Sequence, residues 1–516
     1  MAALRFVPEV TQPLSVLASR VLSSDNEWSD VAIEGFIKAK AKGCVPMAKT
    51  RGLLPQTVFL NILNRVTMDH VGPLLDRATA ERGLNTLVLG SGKGSQPQDI
   101  SFTIAQVLEK GRDRRNAGVV AQSDVEKFHD HVPWGFVMKG LIDRQVPTSW
   151  AFAALRLHRC PNITLRAGSL ATRALVRSRG VLTGASSSGM LARICIEDSY
   201  LAALPSWESH AFVVDPELKL AAMSWSDNLF TFSSSVEGAC AMMETWSYFL
   251  WDLCGLCLKP SSHEVITSST RSYPISTFMR SNVEWRKVPA LYSLGQCLSC
   301  TGDQSEDRKR LKRSWEAAFW RNSRVLTCKQ LGLHSRLSFW GLLSTGIANF
   351  RFSMWAPACT AAKLLEGWHN LILRRIVRVS FNNVESPAQF GERRNRAVKA
   401  ARDHANLSIQ SAWSLCLVRW LEHLMRHRDH PASILLASQD DLWLATMRAL
   451  SWTQGRDPTL RAGATCTRAG AGKPIRWGTM WVDALKEEFG LENPTRDPEL
   501  TRQKAMMVQT MMQGML

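Results

Sequence analysis

Apolar positions along this chain recur with two periods, one helical and one extended. From Arg51, RGLLPQTVFLNILNRVTMDHVGPLLD puts Phe59, Ile62, Leu63 and Val66 on one face at helical spacing. A loop rich in Gly, Ser and Gln follows (GSGKGSQPQD), then a second helical pattern through Ile104, Val107 and Leu108. AGVVAQSD is short, apolar and ends in an acid, as a strand would. Trp134 to Arg159 reads as helix with a break near Pro147, because proline removes a ladder hydrogen bond. GASSSGMLARICIEDSYLAAL opens a helix behind a small-residue loop whose serines are expected to cap it. AAMSWSDNLFTFSS predicts two strands around a tight Ser-Asp-Asn turn. Ser234 and Glu237 predict a capping box, opening a helix that buries Val236, Cys240, Met243, Trp246, Leu250 and Leu253. Gly255 is its expected stop, and LCLKP is expected to return as a strand.

The order strand, helix, hairpin, helix, strand is the split βαβ, or ferredoxin-like, pattern. It predicts an antiparallel sheet with helices on one face. That topology carries the strand end at Asp124 to the hairpin turn at Asp227.

Size and charge narrow the picture. At about 150 residues per domain, 516 residues make roughly three domains. Lys and Arg number 63 against 45 Asp and Glu, a net charge of +18, which favours polyanions through counterion release. The basic residues cluster at Lys110 to Arg115, Arg308 to Arg313, Arg374 to Arg378 and Arg393 to Arg402, with Trp315, Phe319 and Trp320 beside the second cluster. The twelve cysteines are scattered through apolar segments, which suggests reduced thiols. MAALRFVPEVTQPL is a poor signal peptide, and no apolar run reaches the roughly 18 residues of a membrane span. The expectation is an intracellular protein without a membrane segment.

Two acids at adjacent strand tips suit Mg²⁺, a hard cation that takes oxygen ligands and shares them with substrate phosphates. For either Asp alone, ending a strand or filling a turn is the commoner role. The motifs around them add weight. SDVEKFHDHV (123–132) resembles motif A of the reverse transcriptases of LINE-type, non-LTR retrotransposons, D-x-x-K-A-F-D-x-V. RGVLTGASSSGML (179–191) resembles motif B, SWSDNLF (224–230) the F/Y-A-D-D hairpin of motif C, GLCLKPSSHEV (255–265) motif D, and YSLG (292–295) the primer grip. LVRWLEHLMRH and GKPIRW resemble elements of the family's C-terminal tail. Each motif alone is weak, but five in order are specific, and the resemblance runs from about Arg51 to Trp481.

The resemblance implies an α+β fold: a right-hand polymerase with fingers and a ferredoxin-like palm, a helical thumb, and a mostly helical basic C-terminal region. The expected boundaries are an N-terminal extension at 1–50, fingers and palm at 51–284, thumb or connection at 285–385, and the basic region at 386–516. It implies an RNA-directed DNA polymerase that adds dNTPs to a primer 3′-hydroxyl by two-metal phosphoryl transfer, with an RNA template and a DNA primer as partners. Asp124 and Asp227 would hold Mg²⁺ or Mn²⁺, and Asn228 joins them as the third catalytic position. Lys127, Phe128, His129, Arg179, Gly180, Thr183, Gly184 and Lys259 would meet nucleotide or template, and Leu294 and Gly295 the primer. The expectation is a chain lacking the family's endonuclease, located in the nucleus.

Four positions depart from the family. Asn228 replaces the second aspartate of motif C, and His129 stands at the aromatic gate, with Phe128 displaced by one. Thr183 replaces the motif B glutamine, and Ser262 replaces the motif D lysine, with Lys259 three residues early. Two alternatives therefore stand beside the polymerase: a catalytically dead, retrotransposon-derived nucleic-acid-binding protein, and an RNA-dependent RNA polymerase. Competing signals are weaker. The pairs Cys254/Cys257 and Cys297/Cys300 have zinc spacing, but their separation exceeds that of a zinc ribbon, so core thiols are expected. His423, His427 and His430 are expected on a solvated basic face. Arg308 to Arg313 reads as either a nuclear import signal or a phosphate-facing helix. GSGKGS at 90–95 lacks the spacing of a nucleotide-binding phosphate loop.

Overall fold

The structure, a computed structural model, describes residues 35–437 apart from 37, 41–50, 54–57, 92–93, 114–116, 160–162, 165, 168–169, 172–176, 215–218, 356–358 and 428. GKPIRW, nearly all of the 1–50 extension and the end of the basic region lie outside the described residues. No helix among those described is long and apolar enough to cross a membrane.

The chain builds a mixed α/β unit followed by helices. In order come α1 (Val58–Glu81), β1 (Val88–Leu89), α2 (Pro97–Asp113), β2 (Val119–Asp124), α3 (Trp134–Asp143), α4 (Thr148–Arg159) and α5 (Ser188–Ala203). Then follow β3 (Ala222–Trp225), β4 (Asn228–Ser233), α6 (Val236–Cys254), β5 (Glu264–Thr267), β6 (Ser276–Arg280) and β7 (Val283–Lys287). These strands make one seven-stranded sheet in the order β6-β7-β5-β2-β4-β3-β1. Its centre, β5-β2-β4-β3, is antiparallel throughout and has the strand order of the split βαβ pattern.

Successive side chains of a strand point to opposite faces, and here both faces are apolar. Val119, Ala121, Leu229 and Val265 pack with Leu191 and Ile194 of α5 and Met243, Trp246 and Leu250 of α6. Val120, Phe230, Phe232 and Ile266 pack with Ile104, Val107 and Leu108 of α2. The sheet therefore carries helices on both faces, against the expectation of one. The physical reason is the unbroken apolar run Val119-Val120-Ala121, which leaves neither face fit for water. Helix α2 lies so close to β2 that a Cβ on Gly111 would sit 2.2 Å from the Gly118 nitrogen.

Local corrections have similar causes. In α1 the buried apolar residues include Leu63, Met68, Val71, Leu75 and Ala78, whereas Val66 is exposed. Buried Asn64 and Thr67 share the inner stripe, so an apolar-only reading misplaces the face. Helix α6 is capped by Ser235, whose oxygen accepts from Gly238 N–H at 3.0 Å, one residue later than the capping box predicted. Cys254 is buried there in place of Leu253, and Gly255 ends the helix at φ 61°. LCLKP contributes only a single bridge, Leu258 to Val125, and the returning strand is β5. Pro147 separates α3 from α4 as predicted.

Beyond the sheet, β8 (Ala290–Ser293) and β9 (Gln296–Ser299) form a hairpin. A helical region follows: α7 (Ser305–Arg321), α8 (Leu333–Phe352), α9 (Cys359–Val377), α10 (Pro387–His404), α11 (Ile409–Arg426) and α12 (Pro431–Ala437). Its core is aromatic, with Trp315, Trp340, Trp355 and Trp413 fully buried. His423 and His430 are buried as well, not on a solvated face. His423 Nε2 meets Asp99 Oδ1 of α2 at 2.7 Å, which ties α11 to the sheet unit.

Candidate active site

Strand β2 ends at Asp124 and β4 begins at Asn228, and these two are direct partners across the ladder. Asp227 occupies the two-residue turn between β3 and β4, where its C=O accepts from Val125 N–H at 2.9 Å. The three candidate catalytic residues therefore converge at the same end of adjacent strands, and all three are half-buried. Asn228 Nδ2 donates to Asp227 Oδ1 at 3.3 Å. The turn is braced from its other side. Ser226, at φ 54°, donates its N–H to Leu89 O at 3.0 Å, and Gly90 packs beside it.

The motif D segment supports Asp124 through its backbone. Lys259 N–H donates to Asp124 O at 2.8 Å, and Asp124 N–H donates to Ser262 Oγ at 3.0 Å. Ser262 in turn donates to Lys259 O at 2.6 Å, and its oxygen lies 3.2 Å from Ser123 Oγ. Ser123 also meets His263 Nδ1 at 3.1 Å, and burial lowers the His263 pKa. Ser262, Ser123 and His263 were not legible as site residues: Ser262 registers in the sequence only as a departure from a pattern. Lys259 is exposed beside Asp124.

The motif A and motif B segments form a second cluster. Val181 N–H donates to His129 O and Gly180 N–H to Val132 O, each at 2.7 Å. Gly180 sits at φ 91°, and a Cβ there would meet Asp130 O at 2.4 Å, so only glycine permits this approach. Lys127 is exposed with φ 45°, and His129 is half-buried. Phe128 is 2% exposed and belongs to the core, so its ring does not face the site surface. Arg179 and Gly184 are exposed and Thr183 is half-buried. His131, beside them, has its pKa lowered by burial and then by the Arg179 charge.

Leu294 and Gly295 stand in the β8–β9 turn with φ 49° and 82°, the paired left-handed geometry of a type I′ hairpin. Gln296 Nε2 docks this hairpin on Phe350 O of α8 at 3.0 Å. Arg310 of α7 stacks on Tyr292, 4.5 Å from the ring centre. The basic run 308–313 is thus part of a folded helix whose Leu311 is buried.

As a metal site, the donor set is two carboxylates and one carboxamide, all hard oxygen donors of the kind Mg²⁺ takes when phosphates complete its shell. No group of three or more His, Cys, Asp or Glu that could hold an ion occurs among the described residues. Cys254, Cys297 and Cys300 are buried thiols, and Cys257 is exposed.

No protein-family model matches the chain, and no curated protein does. Among solved structures, it is similar to telomerase from Candida tropicalis in complex with a TWJ fragment of telomeric RNA, at TM-score 0.41 and 12% identity, over 83% of this chain and 67% of that one. Apo telomerase from the same organism gives TM-score 0.41 and 11% identity over 81% and 72%. Telomerase from Candida albicans with the same kind of RNA fragment gives 0.37 and 10% over 81% and 68%.

Proposed function

We propose that the chain is a reverse-transcriptase-type polymerase of non-LTR type, extending a DNA primer with dNTPs on an RNA template. The observation that carries this reading is the pairing of Asp124 with Asn228 across β2 and β4, with Asp227 in the adjoining turn. Asp124, Asp227 and the Asn228 amide oxygen would hold Mg²⁺ or Mn²⁺. Such an ion, when bound with substrate, neutralises phosphate charge during transfer. The exposed Lys259 and Lys127 add positive charge on neighbouring segments. Half-buried Thr183 and exposed Gly184 lie in a surface loop suited to nucleotide or template, and the β8–β9 turn is suited to the primer.

A second reading has its own support. Asn228 supplies an amide where a second turn carboxylate would bind Mg²⁺ more strongly. A nucleic-acid-binding protein without turnover would keep the basic surface and lose the chemistry.

Primer extension on an RNA template with dNTPs, in Mg²⁺ and in Mn²⁺, tests both. The expected result is template-directed product that Asp124→Ala abolishes. Product that survives Asp124→Ala would sink the site assignment. Salt-sensitive RNA binding with no product from the unaltered chain would favour the second reading. A preference for NTPs over dNTPs would move the assignment to an RNA polymerase.

A further inference from the structure

A chain of buried polar groups runs beneath the loop at 182–188, and its direction is fixed. Leu182 N–H donates to His158 Nδ1 at 3.0 Å, so that nitrogen carries no proton. The proton is therefore on Nε2, which donates to Ser187 Oγ at 2.7 Å. Ser187 then donates to Asn64 Oδ1 at 2.8 Å. His158, Ser187 and Asn64 are each 0% exposed. The chain joins α4, the loop and α1.

Its placement is specific to the loop. Ser187 precedes α5 yet makes no cap bond to that helix, because its hydroxyl serves His158 and Asn64 instead. Leu182 O accepts from Ser188 Oγ and from Ala185 N–H, so both polar groups of Leu182 are tied down. Just before it, Gly180 and Val181 are bonded to the 129–132 segment. Between these anchors only Thr183, Gly184 and Ser186 reach the surface. An apolar side chain at 158 would fill the space at less desolvation cost, but it would leave Leu182 N–H without an acceptor and Ser187 Oγ without its donor.

We propose that His158 is the positioning residue of the Thr183–Gly184 loop, acting through the Leu182 amide to hold that loop where an incoming nucleotide or template base meets it. This rests on the polymerase reading for the identity of the ligand, but not for the loop's dependence on His158. Burial, with the Arg177 and His129 charges, takes the His158 pKa down to about 3, so the neutral tautomer persists at working pH.

The test compares His158→Asn, His158→Gln and Asn64→Ala. Asn can offer its amide oxygen near the Nδ1 position and keep the Leu182 bond. Gln reaches toward Nε2 and leaves Leu182 without an acceptor. With the full chain, His158→Gln is expected to raise the apparent KM for dNTP about tenfold with kcat changed less than about threefold, and His158→Asn to recover most of the loss. Hydrogen exchange supplies a readout independent of activity. In His158→Gln, amides of 180–188 should exchange about tenfold faster while those of 119–124 stay unchanged. If His158→Gln does not fold, Asn64→Ala should shift the same amides in the same direction. Equal acceleration throughout the sheet would mean a merely structural histidine and overturn the proposal, as would unchanged exchange at 180–188. Unaltered chain without extension, but with the expected exchange pattern, would overturn the polymerase reading and leave the positioning role standing.

Discussion

Asn228 is where a single residue decides most. It faces Asp124 directly across the ladder and donates to Asp227 Oδ1 at 3.3 Å. Asn228→Asp would replace that hydrogen bond with a third carboxylate in the same small volume. Without a cation, like charges on directly opposed strand residues destabilise, by about 1 kcal/mol. With Mg²⁺ the same three carboxylates become a stronger donor set. The expected outcome is a melting temperature lowered by a few degrees in chelator and restored by millimolar Mg²⁺, with faster extension than the unaltered chain. A melting temperature indifferent to Mg²⁺ would count against a cation site between these strands. Ser262 shows the opposite case at this scale. Its sequence position suggests a lost lysine, whereas its hydroxyl accepts the Asp124 N–H and donates to Lys259 O. Ser262 thus has a structural part to play in the site.

Gly111 and Gly118 govern how one element lies on another. A helix-interior glycine usually gains about 1 kcal/mol on becoming alanine. In α2 the sign reverses, because a Cβ on Gly111 would fall 2.2 Å from Gly118 N and 2.6 Å from Gly118 Cα, both backbone atoms that cannot swing away. Gly111→Ala is expected to destabilise by about 1–3 kcal/mol, the scale of overpacking, and urea unfolding would read it. A stabilised variant would mean that α2 is not held against β2. Elements of this kind were legible in the sequence when one periodicity covered them: α2 by Ile104, Val107 and Leu108, the β3–β4 hairpin by its turn, and the end of α6 by Gly255. The face of α1 was not, since Asn64 and Thr67 are buried polar residues, Asn64 bonded to the distant Ser187, and polarity alone reads as surface. The cap of α6 shifted by one because two serines adjoin. The approach of Asp124 to Asp227 was legible from strand order. The support given by Ser262, Ser123 and His158 was not, because it depends on side-chain direction between segments far apart in the chain.

At the scale of the whole molecule, buried histidines and surface cations set the response to solution conditions. Burial lowers His158 to about 3 and His369 and His430 to about 4, from 6.5. The unfolded chain therefore binds more protons than the folded one between those values, and stability falls as pH drops below about 6.5 toward 4, by on the order of a few kcal/mol per histidine. Urea midpoints at pH 7.5 and 5 should differ accordingly, and equal midpoints would contradict the buried neutral state. The surface cations bear on the partner. Many are already matched: Lys309 and Arg313 pair with Glu306, Lys312 with Glu316, and Arg393 with Glu385. The 63 Lys and Arg thus overstate the groups ready to displace counterions from phosphate, and the net charge of +18, which already subtracts the acids, is the better guide. Arg375 is a better candidate. It is exposed at the end of α9 and lies 5.1 Å above the ring of Trp320, itself 61% exposed. That pair offers a phosphate contact beside a stacking surface. Arg375→Ala is expected to weaken binding to an RNA–DNA duplex at low salt and to reduce the slope of log K against log salt by about one. Lys309→Ala should change the slope less, because its departure also frees Glu306. If both variants leave the slope unaltered, the face shared by α7 and α9 is not where an RNA–DNA duplex would bind.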